Sequence, residues 1–366
     1  MSLTILNVAY PLAPVGPEAT GGAEQVLTSL DAALVEAGQR SLVLACEGSV
    51  AAGLLQTIPT GAGRPLANGL IHDAQEHLRK ALDKILQRWP VDLVHMHGID
   101  LYKYLPEAGV PVLATLHLPP QWYPRELFFL KRPATYLNCV SHAQQRDCPP
   151  GAQLQPPIEN GVAVEAFGRI CAKRAFALTL GRICPEKGFH FALDAAVKAN
   201  LRLLVSGELF RYEAHERYFF QEIAPRLDRK RRFIGRVGFK RKRRLLAAAR
   251  CLLVPSVVPE TSSLVSMEAL ACGTPVVAFR AGALKEIIDD GKTGFLVDTV
   301  DQMADAIAAA DRIDPETCRE IARSRFSAKR MTAQYLELYD RLARKCRETR
   351  RREYPQGTAE VNSWPN

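Results

Sequence analysis

No stretch of this 366-residue chain approaches the ~20 consecutive apolar residues that a membrane-spanning helix requires. The opening segment, Met1–Val15, has no basic head ahead of an apolar run and reads as a strand, so no secretory leader is expected. Cysteine occurs nine times, but never in C-x-x-C or C-x-H spacing. That scatter argues against a disulfide framework or a zinc motif and for a reducing compartment, and the reading assigns no metal ligands. There is no Asp-x-Asp triplet, no G-x-G-x-x-G, no Walker loop, no internal repeat and no low-complexity run. What remains is 47% hydrophobic and 24% charged, a composition that excludes a disordered chain, a fibre or a coiled coil. A chain of this length divides into two domains.

Negative charge is scarce in one place. Residues 1–160 carry 11 Lys/Arg against 14 Asp/Glu, so the net +9 of the whole chain lies entirely in the remainder. Most of it falls in Arg226–Arg250, where 12 basic residues face Asp228 alone. Such asymmetry points to an anionic partner.

Apolar runs alternate with amphipathic stretches along the chain, the pattern of parallel sheets wrapped by helices. In the first half, strands are expected at Leu3–Ala9, Ser41–Cys46, Asp92–Met96, Val112–Leu116 and Tyr136–Val140. Helices are expected at Gly22–Gly38 and Ile71–Trp89. Pro149-Pro150-Gly151 and Pro156-Pro157 mark a break. A second series follows: Phe176–Leu180, Arg202–Ser206, Phe233–Ile234, Cys251–Val254, Pro275–Phe279 and Gly294–Val297. The expected architecture is α/β, two doubly wound Rossmann-like domains facing a central cleft. They cover 1–160 and 161–326, with a last helix at about 327–347 packing back on the first and a disordered tail at 354–366.

Open α/β sheets bind ligands beyond the carboxyl ends of their strands. After the first strand stands Ala19-Thr20-Gly21-Gly22-Ala23-Glu24, opening directly into a helix whose N-terminus favours anions. After Phe176–Leu180 stands Gly181-Arg182-Ile183-Cys184-Pro185-Glu186-Lys187-Gly188, where Arg182 and Lys187 can neutralise a diphosphate. The richest block runs from Pro255 to Val277, strand, loop, helix, turn, strand, with Glu260 before the helix and Glu268 inside it. Eight helical residues span ~12 Å, so the two carboxylates cannot form one acid/base pair. They suit the two ends of an elongated ligand, with the amides of Ser262, Ser263 and Leu264 at a helix N-terminus between them.

These motifs together resemble the retaining GT-B glycosyltransferases of family 4. The resemblance rests on E-x7-E with A-C-G-T-P-V-V after it, on G-R-x-x-x-E-K-G upstream, and on the N-terminal G-G-A-E. Glu159-Asn160-Gly161-Val162, Phe233-Ile234-Gly235 and Gly291–Val297 extend it from about Leu3 to Leu342. It implies that Arg182 and Lys187 grip a donor diphosphate, Glu268 binds its ribose, and Glu260 sits at the transferred sugar. Gly21 and Gly22 would close over the phosphates, Val237 would flank the nucleobase, and His117 would face donor sugar and phosphate. His117 and Glu260 are thus the implied catalytic residues. The chain departs from the family at Ser263, where glycine is usual, near Ser262, where an aromatic is usual, and at Leu118, often polar.

The implied reaction moves a hexose from a nucleotide-diphosphate sugar, UDP-glucose-like, to a carbohydrate, lipid-linked or secondary-metabolite acceptor, in polysaccharide or glycoconjugate biosynthesis. The nucleotide sugar is a substrate, and no cofactor is expected. Without Asp-x-Asp, the cations would replace a metal at the leaving diphosphate, which predicts activity in EDTA. The resemblance also implies retention by a front-face path. A cytoplasmic location follows, with peripheral contact to anionic membrane through part of the basic cluster as a further expectation. Two other readings stand beside this one: a sugar-nucleotide epimerase of the same fold, and a nucleic-acid binder. The second is weak because only Phe233 and Phe239 supply aromatics within the basic run. His95-Met96-His97 places two imidazoles on one strand face, read as structural because no third ligand is nearby. Gln121–Phe129 reads equally as an acceptor loop or as packing.

Overall fold

The computed structural model describes residues 2–59, 68–168 and 171–353. The expected disordered tail at 354–366 lies outside the described residues. The chain forms two compact units. The first comprises residues up to Val140, Gln145–Ile158 and the chain from Met331; the second comprises Ser141–Gln144 and Glu159–Arg330.

The first unit is built on seven strands: β1 (Thr4–Val8), β2 (Arg40–Cys46), β3 (Leu54–Ile58), β4 (Leu93–Met96), β5 (Val112–Leu116), β6 (Thr135–Cys139) and β7 (Leu154–Gln155). Their order in the sheet is β3-β2-β1-β4-β5-β6-β7, and every pairing is parallel. Strands β1, β4 and β5 are buried along their whole length. Helices cover both faces of a parallel sheet, which is why these strands read as unbroken apolar runs. Strand β3 did not emerge from the sequence: it pairs only with β2, and three of its five residues are exposed, Leu54 among them. An edge strand need not show the apolar signature of a central one. The helix Gly22–Glu36 buries Val26, Leu27, Leu30 and Leu34 on one face. It ends as Gly38 takes φ +69, with the Gly38 and Gln39 amides returning to the carbonyls of Val35 and Leu34.

The second unit carries six strands: β8 (Arg174–Leu180), β9 (Arg202–Ser206), β10 (Arg231–Phe233), β11 (Ala249–Val254), β12 (Val276–Phe279) and β13 (Gly294–Val297). They pair in parallel as β10-β9-β8-β11-β12-β13. Phe233–Ile234 was expected as a strand, but β10 starts two residues earlier because Arg231 and Arg232 pair with Leu203 and Leu204. Two charged residues in an edge strand mask it in a hydropathy pattern.

Both sheets reverse direction of growth once, beside β1 in the first unit and beside β8 in the second. The loops leaving β1 and β4, and those leaving β8 and β11, therefore diverge and leave a crevice at the strand ends. These are the loops that hold the conspicuous motifs. The helix Ala328–Glu353 runs longer than the expected 327–347. From Met331 it belongs to the first unit, where Met331, Tyr335, Leu338, Tyr339 and Leu342 are buried at helical spacing.

Candidate functional site

In the second unit the loop after β8 is pinned to the end of β11 through backbone. The Val257 amide donates to the Glu186 carbonyl at 3.0 Å. Gly188 adopts φ +60, and a Cβ there would stand 2.2 Å from the Pro255 carbonyl oxygen. Only glycine permits that approach. The result is to lay Lys187 against the loop that follows β11. Its Nζ lies 2.5 Å from Glu260 Oε1, and the Ser256 hydroxyl donates to the same oxygen. The Glu260 side chain is 9% exposed and that of Lys187 26%. Glu260 is held from behind as well: its carbonyl accepts the Ala283 amide at 2.7 Å, and a Cβ on Gly282 would lie 2.3 Å from that carbonyl.

The helix Leu264–Ala271 begins four residues beyond Glu260, with Ser263 as its N-cap. Ser263 turns its hydroxyl to Ser266 Oγ (2.8 Å) and makes no side-chain cap bond. The first amides of the helix thus keep their outward donors, and the Ser262 hydroxyl is buried beside them without a partner. Glu268 sits one turn further in, 5% exposed. Burial pushes its carboxyl above the usual range, opposed by Lys242, whose Nζ lies 2.6 Å from Glu268 Oε1. Lys242 comes from the helix Phe239–Ala248.

The structure thus brings Lys187 and Glu260 into contact and gives Glu268 a separate cation. The two carboxylates do not share a partner. Arg182 is exposed on the same loop as Lys187, and Val237 is half-buried in the turn before Phe239–Ala248. That turn is anchored at Gly235, whose carbonyl accepts the Ser206 hydroxyl at 2.7 Å and the Gly207 amide at 3.2 Å. Sequence reasoning missed Lys242 as a site residue: it counted only as one of twelve bases, and its partner stands 26 positions away.

In the first unit Gly21 caps the helix Gly22–Glu36. Its lack of a side chain makes room for Glu24, whose Oε2 would be 1.8 Å from a Cβ there. The carboxylate of Glu24 therefore already lies over this helix N-terminus, where its charge is favoured. Gly22 is exposed.

His117 follows the last residue of β5. The Tyr123 hydroxyl accepts both the His117 and the Leu118 amide, at 3.0 and 3.2 Å, and fixes the turn. The His117 ring stacks on His97, with Nε2 3.0 Å from His97 Nδ1. His95 binds instead to Tyr339 through Nδ1 and to Thr115 through Nε2, both at 2.7 Å, and Thr115 Oγ1 donates to Asn138 Oδ1 at 2.7 Å. Desolvation drives His95 and His97 well below the usual imidazole range and takes His117 down to about 4. All three are neutral near pH 7. His97 Nε2 is buried without a partner. The aromatic stretch Gln121–Phe129 divides: Tyr123, Leu127 and Phe128 are core, whereas Trp122 and Phe129 are exposed.

Comparison with known proteins places both units. Residues 20–151 match the Glycosyltransferase Family 4 domain and residues 174–310 the Glycosyl transferases group 1 domain, together well over half of the chain. The D-inositol 3-phosphate glycosyltransferase of Saccharomonospora viridis is 32% identical over 215 residues, 53% of this chain and 49% of that protein. The phosphatidyl-myo-inositol mannosyltransferase of Mycobacterium tuberculosis is 30% identical over 183 residues, 47% of each. The chain spans about half the length of these curated relatives. Among solved structures, the sucrose-phosphate synthase of Thermosynechococcus elongatus superposes with a TM-score of 0.77 at 20% identity, over 93% of this chain and 99% of that one. HepE of Anabaena, solved with UDP-glucose, superposes with a TM-score of 0.70 at 19% identity, over 92% of this chain and 99% of that one. No helix among the described residues is long and apolar enough to cross a membrane. With both domain families present in order on two parallel Rossmann-like sheets, the chain belongs to the GT-B glycosyltransferases.

Proposed function

We propose that this chain transfers a hexose from a UDP-sugar to an acceptor hydroxyl, with retention of configuration and without a metal ion at the diphosphate. The observation that carries the reading is the crowding of anion-binding groups at one switch point. The N-terminus of Leu264–Ala271, the unpartnered Ser262 hydroxyl, Lys187 and exposed Arg182 all stand on the loops that leave β8 and β11.

Departure of the sugar leaves negative charge on the β-phosphate. Preorganised amides and cations stabilise that charge more as it develops, so they lower the barrier and do not merely bind the donor. The Lys187 ammonium needs one of its three donors for Glu260 and keeps two for phosphate oxygens. Glu260, held by Ser256 and Lys187, presents its remaining acceptor capacity to sugar hydroxyls. Glu268 does the same for a ribose diol, with Lys242 compensating its charge. Retention follows if the acceptor oxygen attacks C1 from the face the phosphate leaves: the C1–phosphate oxygen bond breaks, the C1–acceptor bond forms, and the acceptor proton passes to the departing phosphate. Neutral His117 then serves as a hydrogen-bonding group at the sugar and not as a cation. The named substrates of the curated relatives make D-inositol 3-phosphate and phosphatidyl-myo-inositol the first acceptors to try, and HepE makes UDP-glucose the first donor.

The test is nucleotide release from UDP- and GDP-sugars across an acceptor panel, in EDTA, with the anomer of the product read by NMR. UDP release that depends on acceptor supports transfer, whereas release without acceptor favours the epimerase reading. Lys187→Met should raise the donor KM and lower kcat by about a hundredfold, on the scale of one lost charge-stabilising donor. Unchanged kinetics in a folded Lys187→Met variant would remove the diphosphate assignment.

A further inference from the structure

One cluster in the second unit takes no part in that chemistry. Cys184, Glu186 and His215 bring a sulfur, a carboxylate oxygen and an imidazole nitrogen within 4.8 Å of one another. The first two come from the loop after β8 and the third from the short helix Glu213–Tyr218. No local spacing in the sequence links them, since 29 residues separate His215 from Glu186. We infer that these three side chains form a binding site for a divalent transition-metal ion of zinc type, completed by water.

The donor set selects the metal. A thiolate and an imidazole with one carboxylate suit zinc and exclude magnesium and calcium, which take oxygen ligands. Zinc bonds of 2.0–2.3 Å in a tetrahedron set ligand atoms about 3.5 Å apart. The trio must close by about 1 Å, which rotation of the Glu186 and His215 side chains supplies. The anchoring is already built. Cys184 is 1% exposed, while Glu186 and His215 are half-buried and leave a route for the ion. The Ile183 amide donates to the Glu208 carbonyl at 3.0 Å, tying the loop to the segment that leads into His215. The Tyr212 ring meets the His215 imidazole edge-on at 5.0 Å and sets its plane. His215 Nδ1 is buried without a hydrogen-bond partner, a lone pair or N–H that the protein itself leaves unmatched.

Charge neither forbids the site nor makes it strong. Arg182 stands near both Cys184 and His215 and opposes a cation. With the thiol ionised, however, the cysteine and glutamate together cancel the charge of the ion, so the loaded site is neutral. Its consequence is mechanical: the metal clamps Gly181–Gly188 to the helix Glu213–Tyr218.

The experiment uses the full chain, stripped with chelator and then dialysed free of it. Calorimetric titration with zinc should give one ion per chain, and cobalt should give the visible bands of a tetrahedral cobalt–thiolate. Cys184→Ser should abolish the sulfur-to-cobalt band and weaken zinc binding by about a hundredfold, since even outer-shell changes shift metal affinity by 10–100-fold. His215→Ala should weaken it similarly and should lose the zinc-induced rise in melting temperature. His215 is half-buried, so this variant carries the test if Cys184→Ser fails to fold. Absence of stoichiometric binding, or equal binding by wild type and His215→Ala, overturns the inference.

Discussion

Replacing Lys242 by methionine isolates what the buried carboxylate of Glu268 requires. The Lys242 ammonium is 2.6 Å from Glu268 Oε1, with side-chain exposures of 22% and 7%. Removing one member of a fully buried pair costs about 3–5 kcal/mol. Lys242 retains some contact with water, so the same loss here is nearer ~2 kcal/mol. The penalty must also depend on pH, with a definite sign. Burial already raises the Glu268 pKa above 4.5, and Lys242 is what opposes it. Without the lysine the native pKa climbs further, and each unit corresponds to about 1.4 kcal/mol. An acid whose pKa is raised by folding has its full stability below the unfolded pKa and loses it as pH rises through the native one. The destabilisation of Lys242→Met relative to wild type should therefore be small near pH 4.5 and reach about 2 kcal/mol by pH 8. Lys242→Met/Glu268→Gln should recover most of it and show little pH dependence. The assay must see the second unit. Trp89 and Trp122 both belong to the first, so hydrogen exchange of the amides in Leu264–Ala271 is the readout. A penalty equal at pH 5 and pH 8, or no rescue by glutamine, would refute the reasoning.

Three further outcomes follow from the same geometry. Gly188→Ala forces a side chain into φ +60 and against the Pro255 carbonyl. At least ~2 kcal/mol of destabilisation in the second unit is expected, with a higher donor KM, and an unperturbed melt would show that the two loops are not packed as described. His95, His97 and His117 are neutral in the native first unit. The unfolded chain takes up their protons below pH 6.5, so stability should fall from there toward pH 4, by up to about 3 kcal/mol for His117. Tryptophan fluorescence in urea reads this unit, and a flat profile from pH 7 to 5 would contradict the buried neutral imidazoles. Finally, Arg229, Arg232, Lys240, Arg241 and Arg244 are exposed and make no ion pair among the described residues. Flotation with anionic vesicles at low salt should show binding that disappears as salt rises. No binding at low salt removes membrane contact through this face.

How much of this was legible beforehand depended on the range over which each feature is decided. Central strands such as β1 and β5 were readable because burial on both faces writes itself into consecutive residues. Exposed edges were harder: β3 did not emerge and β10 only in part, because a partner strand defines them and their own side chains carry exposure or charge. The largely buried edge strand β13, by contrast, was readable over its full length. The loop motifs were readable as sequences, since glycine marks where backbone must approach backbone, as Gly188 does at Pro255 and Gly282 at Glu260. Their partners were not. Glu260 is satisfied by Lys187 from 73 residues away, and Glu268 by Lys242 from 26 residues away. His117 is positioned by His97, which reads as structural, and by Tyr123, from a stretch that reads equally as an acceptor loop or as packing. Polar contacts over such separations leave no periodicity to find.

The basic cluster shows what that costs a reading based on net charge. Of its twelve members, Arg226, Arg231, Arg236, Lys242 and Arg250 are bound to Asp194 and Glu222, Asp228, Glu208, Glu268 and Asp311 respectively. All but one of those acids lie outside the run itself, so a window along the sequence counts the cations and misses their counter-ions. Of these pairs, only Lys242–Glu268 joins a deeply buried carboxylate, and it alone stands at a proposed ligand contact. The others keep their acids at least about a third exposed and contribute little to stability. A polyanion binder would need the cluster as a continuous face. Here nearly half of it is locally neutralised, and Lys242 is committed to one buried carboxylate at the nucleotide end of the proposed donor site.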